Sequence, residues 1–291
     1  MRVHGRRHVG VVVAALLVFT VTACARRGAQ TPPAPGGEGG GGAVSGKVTA
    51  AGSTALLPLV QQAAEEFMQK NPGVTVNVSG GGSFTGLTQV AAGSVDIGNS
   101  DVDLPPELQG KNLVDHRVAV APFVLVTHPG VGVTNLTKEQ AKGIFTGKIT
   151  NWREVGGPDQ AITVVDRPRS SGSRATIQRI VLDGAEVTDR AVVQDSNGKV
   201  RATVASTPGS IGYIDAAYLD QSVKGVAFEG VEYSVDAVIR GKYPIFAYEH
   251  MFTRGEPAGA TKAFIEYILS PDFQERVLPK MGFIPVSKMS R

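Results

Sequence analysis

The order of elements from Lys47 onward constrains the fold of this chain more than any other feature. "KVTA" (47–50) is a short β-type run. The stretch after it sets Leu56, Leu59, Val60, Ala63, Ala64, Phe67 and Met68 on one face at helical spacing, up to the stop Asn71-Pro72-Gly73. "VTVNV" (74–78) alternates as a strand, "LTQVAAG" has the look of a short helix, and "VDIGNSD" (95–101) runs from strand into turn. Strand, helix, strand, helix, strand predicts an α/β fold with parallel strands flanked by helices. In such sheets ligands lie beyond the carboxyl ends of the strands, where loops enter helices.

The later chain continues the mixture. Residues 113–130 read as extended, and 136–147 as a helix with a Thr137/Gln140 capping box. Residues 161–166 read as a strand, "SRATIQRIVL" has helical spacing, and 209–215, 223–228 and 243–252 look extended. Residues 259–278 are helical with a break at Pro271. Lys47–Arg291 is long for one core and suits two lobes. The extended runs 113–126 and 243–252 are long enough to cross between them. This predicts a first lobe of 47–121 plus 246–291 and a second of 122–245.

The N-terminus reads as a separate device. Residues 1–23 carry Arg2, Arg6 and Arg7, then an apolar run from Val9 to Phe19, then Val21-Thr22-Ala23 before Cys24. The run is too short to span a bilayer, and the pattern is that of a secretory signal peptide. Cys24 is the single cysteine. It stands where bacterial lipoproteins carry their lipidated residue, so 24–46 is expected to be a lipid-bearing Cys24 followed by a Gly/Pro-rich tether. Such a coil spans roughly 25 Å on average. The expected location is therefore extracytoplasmic, held to the bacterial membrane through Cys24.

Charge must be read without the leader. The chain has 29 Lys and Arg against 26 Asp and Glu; three of the arginines lie in 1–23, so the remainder is formally neutral. A neutral body offers no general attraction to nucleic acid, and no nucleic-acid partner is expected.

Three strand-to-helix junctions share one composition: Gly52-Ser53-Thr54, Gly80-Gly81-Gly82-Ser83 and, in "DRPRSSGSRAT", Ser171-Gly172-Ser173. Each offers hydroxyls and first-turn amides that have no partner inside the helix, at the positive end of its dipole. Together they suit an anion, although a Ser or Thr before a helix is also an ordinary cap. Asp101, in "NSD", supplies an acceptor. A carboxylate beside an anion is repulsive unless the ligand keeps a proton. Hydrogenphosphate does; sulfate at neutral pH does not. Arg167 would offset both charges. Asp101 could equally cap the turn before "LPPEL".

"GSTALLPLV", "GGGSFTGLTQVAAGSVDIGNSDVD", "IFTGKITNW" and "RPRSSGSRAT" resemble, in family order, the phosphate-binding component of bacterial phosphate ABC transporters, the PstS family. The similarity covers about 47–291. It implies a two-lobed type II periplasmic-binding-protein fold, each lobe a mixed sheet flanked by helices, with the ligand in the cleft between them. It implies inorganic phosphate held by Thr54, the amide of Ala55, Ser83, Asp101, Arg167, Ser171, Gly172 and Ser173, with Ser53 as a further candidate. The implied partners are membrane permease subunits, and the implied state is a monomer. Two departures from the family pattern stand out. Ser170 replaces a glycine and needs a compatible φ, and Phe84 stands where a small residue is common. Arg169, Ser170 and Arg174 are expected to be bystanders.

Enzymatic readings fare worse. "GIFTGKI" has the wrong spacing for a phosphate-binding P-loop, and "GGSFT" lacks the last glycine of G-x-S-x-G. "SNGK" (196–199) matches S-x-x-K without the companion motifs of a β-lactamase. The histidines are not clustered, so neither a catalytic metal nor another cofactor is expected. The remaining alternatives are a binding protein of this fold for sulfate, molybdate or phosphonate, and a phosphate sensor with no transport role.

Overall fold

The computed structural model describes Val44–Met289. The signal-peptide reading, Cys24 and nearly all of the tether lie outside the described residues. The fold begins slightly before the expected end of the tether, because Gly46 opens the first strand and Val44 packs against the core.

In chain order the elements are β1 (Gly46–Gly52), α1 (Leu57–Lys70), β2 (Val74–Ser79), α2 (Ser83–Ala91), β3 (Ile97–Ser100), β4 (Leu113–Thr127), β5 (Asn135–Leu136) and α3 (Lys138–Phe145). There follow β6 (Thr163–Asp166), α4 (Gly172–Ile180), β7 (Val192–Val193), α5 (Asn197–Ser206), β8 (Ser210–Asp215), β9 (Lys224–Gly225) and β10 (Ala227–Phe228). The chain closes with α6 (Val235–Ile239), β11 (Phe246–Arg254), α7 (Gly259–Leu269) and α8 (Pro271–Arg276).

The strands are ordered β2-β1-β3-β11-β4-β8-β6-β7, with β9 also on β4 and a small β10-β5 pair apart. β1 pairs in parallel with β2 and β3, and β6 in parallel with β7 and β8. β4 joins the two groups. Its residues Leu113–Pro122 run antiparallel to β11, and Phe123–Thr127 run antiparallel to β8. One strand thus serves two mixed sheets, and the protein is a two-lobed α/β structure with helices on the sheet faces.

The local reasons follow from sequence. α1 buries Leu59, Val60, Ala63, Ala64 and Phe67 on one face, and Pro58 sits in its first turn, where no amide is needed. β4 is buried without interruption from Val118 to Thr127, as a strand covered on both faces must be. The Thr137/Gln140 capping box forms in full. The break at Pro271 separates α7 from α8, with the Ser270 hydroxyl capping the second. Two features depart from the sequence reading. α2 starts at Ser83 rather than after it, because the left-handed turn at Gly82 (φ +94°) launches the helix directly. α5 was not foreseen, since its apolar spacing is weak; it packs Val200 and Val204 on Val124, Val126, Val165 and Ile214.

Candidate functional site

The residues nominated from sequence converge at the carboxyl ends of β1, β3 and β6 and the N-termini of α1, α2 and α4. From β1 the chain turns through Ser53 and Thr54. The Ser53 hydroxyl accepts from the amides of Ala55 and Leu56, both at 3.0 Å. It therefore ties together the turn that leads into α1, and the Ala55 amide points onto it. The Thr54 hydroxyl faces the other way. It accepts from Arg167 Nη2 at 3.0 Å and Asn197 Nδ2 at 3.1 Å, while the Thr54 carbonyl accepts from the Tyr218 hydroxyl at 2.6 Å.

The second and third junctions meet through Asp101. Its amide donates to Ser83 Oγ at 3.0 Å, and its Oδ2 accepts from Ser173 Oγ at 2.9 Å. Ser171 caps α4, its Oγ accepting from the Arg174 amide at 3.2 Å. Gly172 lies so close to the opposite wall that a Cβ there would sit 2.3 Å from Ser83 Oγ and 2.9 Å from Asp101 Cβ. Only glycine lets the two walls approach this far. Ser170 is no bystander: its carbonyl accepts from the Phe84 amide at 3.1 Å, and it does so without a positive φ. Arg174 lies behind the site rather than on the surface: it is buried and donates through Nε to Asp166 Oδ2 at 3.0 Å. Arg169 is the exposed residue expected, paired with Glu186.

Electrostatics single out two groups. Arg167 is 1 % exposed, and besides Thr54 its Nη2 donates to the Asp195 carbonyl at 3.0 Å. Among the described residues, its Nε and Nη1 have no acceptor. Burial pulls this guanidinium below its ordinary value, opposed by nearby groups that include Asp101 and Asp195. It nonetheless keeps its charge at neutral pH. Asp101 is 4 % exposed, and its Oδ1 accepts from no donor. An unmet buried polar group costs about 1–3 kcal/mol, so such a set in one place is a site prepared for a polar ligand. It offers positive donors and one anionic acceptor together. A groove of about 850 Å³ runs alongside, past Phe84, Thr176 and Phe246; of the nominated residues only Asp101 lines it.

Sequence reasoning missed four polar residues here. Asn197 joins Thr54 to the Asp215 amide, which donates to Asn197 Oδ1 at 2.9 Å. A signal was present: Ser196-Asn197-Gly198 is a fourth junction of the same kind, at the start of α5. Its S-x-x-K pattern is a helix cap, with Ser196 Oγ accepting from the Lys199 amide while the Lys199 ammonium pairs with Asp195. Tyr218 had no distinguishing context. Asp215 and Glu249 are buried carboxyls, both pushed well above the usual carboxylate range, first by burial and also by Asp101. Glu249 stood as a lone acid in the apolar run "YPIFAYEHMF", and that was its signal. Among the described residues no cluster of His, Cys, Asp and Glu could hold a metal ion.

The PBP superfamily domain profile matches residues 37–272. The phosphate-binding protein PstS of Bacillus subtilis is 42% identical over 278 residues, covering 94% of this chain and 92% of the relative. This chain belongs to the PstS family. The family's members are solute-binding proteins rather than enzymes. The PstS of Borreliella burgdorferi is 28% identical over 252 residues, covering 82% of this chain and 90% of its own. A crystal structure from Clostridium perfringens, described as a phosphate ABC transporter substrate-binding protein with bound phosphate, superposes with a TM-score of 0.79 at 33% identity. It covers 83% of this chain and 100% of its own. An ABC-type phosphate transport receptor from Vibrio cholerae superposes with a TM-score of 0.68 at 30% identity, covering 81% and 99%.

Proposed function

We propose that this PstS-family protein captures inorganic phosphate, as hydrogenphosphate, between its lobes outside the cytoplasm and delivers it to the permease of an ABC importer. The observation that carries the reading is the pairing of buried, unpartnered Arg167 N–H groups with an unpartnered Asp101 oxygen in one cleft. Hydrogenphosphate can take the arginine's donors on its ionised oxygens and give its proton to Asp101. The Thr54, Ser83, Ser171 and Ser173 hydroxyls and the first-turn amides of α2 and α4, including that of Gly172, complete the shell. The Ala55 amide would contribute only as a donor shared with Ser53 Oγ. Ser53 itself holds the turn before α1.

The working parts around the site follow. Lobes of 47–121 with 246–291 and of 122–245 close by a hinge in β4 and β11. Residues 1–23 are removed, Cys24 carries lipid, and the segment up to about residue 46 tethers a monomer to the membrane. Calorimetric titration tests the ligand: phosphate binds and sulfate does not bind comparably. Equal affinity for the two would overturn the role of Asp101 and favour a general oxyanion carrier. For the anchor, Cys24→Ala moves the protein from the membrane fraction to the soluble one; unchanged partitioning refutes it.

A further inference from the structure

The most unusual group near the cleft is Glu249. It is 0 % exposed, and neither carboxyl oxygen accepts from a donor among the described residues. Its position is set by the sheet. β11 pairs antiparallel with β3 as Met251 to Asn99 and His250 to Ser100, where β3 ends; Glu249 and Asp101 are the next residues along the two segments, and the Glu249 carboxyl lies within hydrogen-bond reach of Asp101. The β11–β4 register also shifts between Glu249 and His250, and such bulges re-aim side chains. The two acids thus meet just past the end of the β3–β11 ladder.

We propose that Glu249 holds a proton and donates it to Asp101, so that the two carboxyls present a single negative charge to the ligand. The inference rests on the phosphate reading of the site and deepens it by adding a positioning residue that acts through Asp101. Asp101 Oδ2 already accepts from Ser173, and its Oδ1 lacks a donor. An ionised Glu249 is acceptor-only and would leave both acids unsatisfied. One proton between them supplies what each lacks. A carboxylate oxygen has more than one acceptor direction, so Asp101 can still take a proton from the ligand. The charged and titratable groups around the pair agree: burial, Asp101 and Asp215 all push the Glu249 carboxyl upward, towards its neutral form, while the charge of Asp101 is felt by Arg167. Two full charges at 101 and 249 would repel any anion; one charge and one acid do not.

The test uses the intact protein. Infrared spectra at pH 7 without ligand are expected to show a protonated carboxylic C=O band that loses intensity in Glu249→Gln. An unchanged band in that variant overturns the proposal, whatever the affinities do. Titration with phosphate and sulfate then reads the consequence. Glu249→Leu, which removes the donor at similar volume, is expected to weaken phosphate by tenfold or more and to narrow its preference over sulfate. Glu249→Gln, whose amide can donate to Asp101, is expected to recover most of that loss. Equal impairment of the two variants, or wild-type behaviour of Glu249→Leu, refutes the donor role. If Glu249→Leu does not fold, the Gln variant's spectrum and affinities decide. If the unaltered protein binds no phosphate, the functional reading fails, while the infrared band still decides where the proton is.

Discussion

Arg167 and Arg174 come from the same ten-residue loop, and both are buried, yet their surroundings are opposite. Arg174 donates to Asp166 at 3.0 Å and to Glu186 at 3.0 Å, and Asp166 is held in turn by the Tyr213 hydroxyl at 2.6 Å. These carboxylates raise the Arg174 guanidinium above its ordinary value despite its burial. Arg167 has no carboxylate partner and two unused nitrogens, and burial lowers it. A buried cation whose partners are built in is a structural part. One left with free donors at a comparable depth, held only by a hydroxyl, a carbonyl and more distant charges, gains most from an anion that arrives from outside. The sequence reading nominated Arg167 and set Arg174 aside, and the difference in their partners agrees with that division.

Exchanging them one at a time should separate binding from stability. The largest effect on binding is expected from Arg167→Ala, which should weaken phosphate by about 100- to 1,000-fold, the scale for losing a buried charged partner. Its ligand-free unfolding midpoint should stay level or rise, since two unmet donors are removed. Retained affinity would place the ligand elsewhere. Arg174→Ala should do the reverse. It strands the Asp166 carboxylate with only Tyr213, so urea unfolding should show a loss of about 3 kcal/mol. Phosphate affinity of the folded fraction should move only a few-fold. A loss of affinity as large as that of Arg167→Ala would erase the distinction. Asp101→Asn comes next. It replaces the acceptor with an amide that can also donate, so phosphate should weaken by about tenfold while sulfate gains. Unchanged selectivity would reduce Asp101 to a capping residue.

The alternation in 47–101 and the break at Pro271 were legible because periodicity and breaker residues act locally. The three junctions were legible because glycine and hydroxyl residues at a strand end carry a backbone requirement that composition records. The structural role of Arg174 was not legible, because nothing in "SGSRAT" reveals that Asp166, itself held by Tyr213 from another strand, receives it. Asn197 was missed for the opposite reason. Its junction looked like the other three, but the weak apolar face of α5 left it without a helix to begin. Tyr218 and Glu249 reach the site through long-range pairing alone, Tyr218 by a bond to Thr54 and Glu249 by the β11–β3 register. Local pattern marked Glu249 as a lone acid in an apolar run but is silent on which residue it meets.

A third arginine shows how small the effect becomes away from the cleft. Arg276, on α8, grips Glu66 of α1 with Nη2 to Oε2 at 2.5 Å and Nη1 to Oε1 at 3.2 Å. That bond is the main reason the Glu66 carboxyl falls from 4.5 to about 2; burial opposes it, and the Tyr267 hydroxyl and Gln62 amide assist. A carboxyl lower in the folded state than in the unfolded one stabilises above its unfolded value. That stability is lost as pH falls from about 4.5 towards about 2. Arg276 is 41% exposed, so solvent and salt screen most of the attraction. Arg276→Ala should therefore lower the urea midpoint slightly at pH 7, less than Arg174→Ala does, and leave phosphate affinity untouched. The gap between variant and wild type should close as the pH approaches 2, where Glu66 is protonating in both. A gap that stays constant from pH 7 to pH 2 would mean that Arg276 acts through packing of its stem on α1, and that Glu66 is held down by Tyr267 and Gln62 alone.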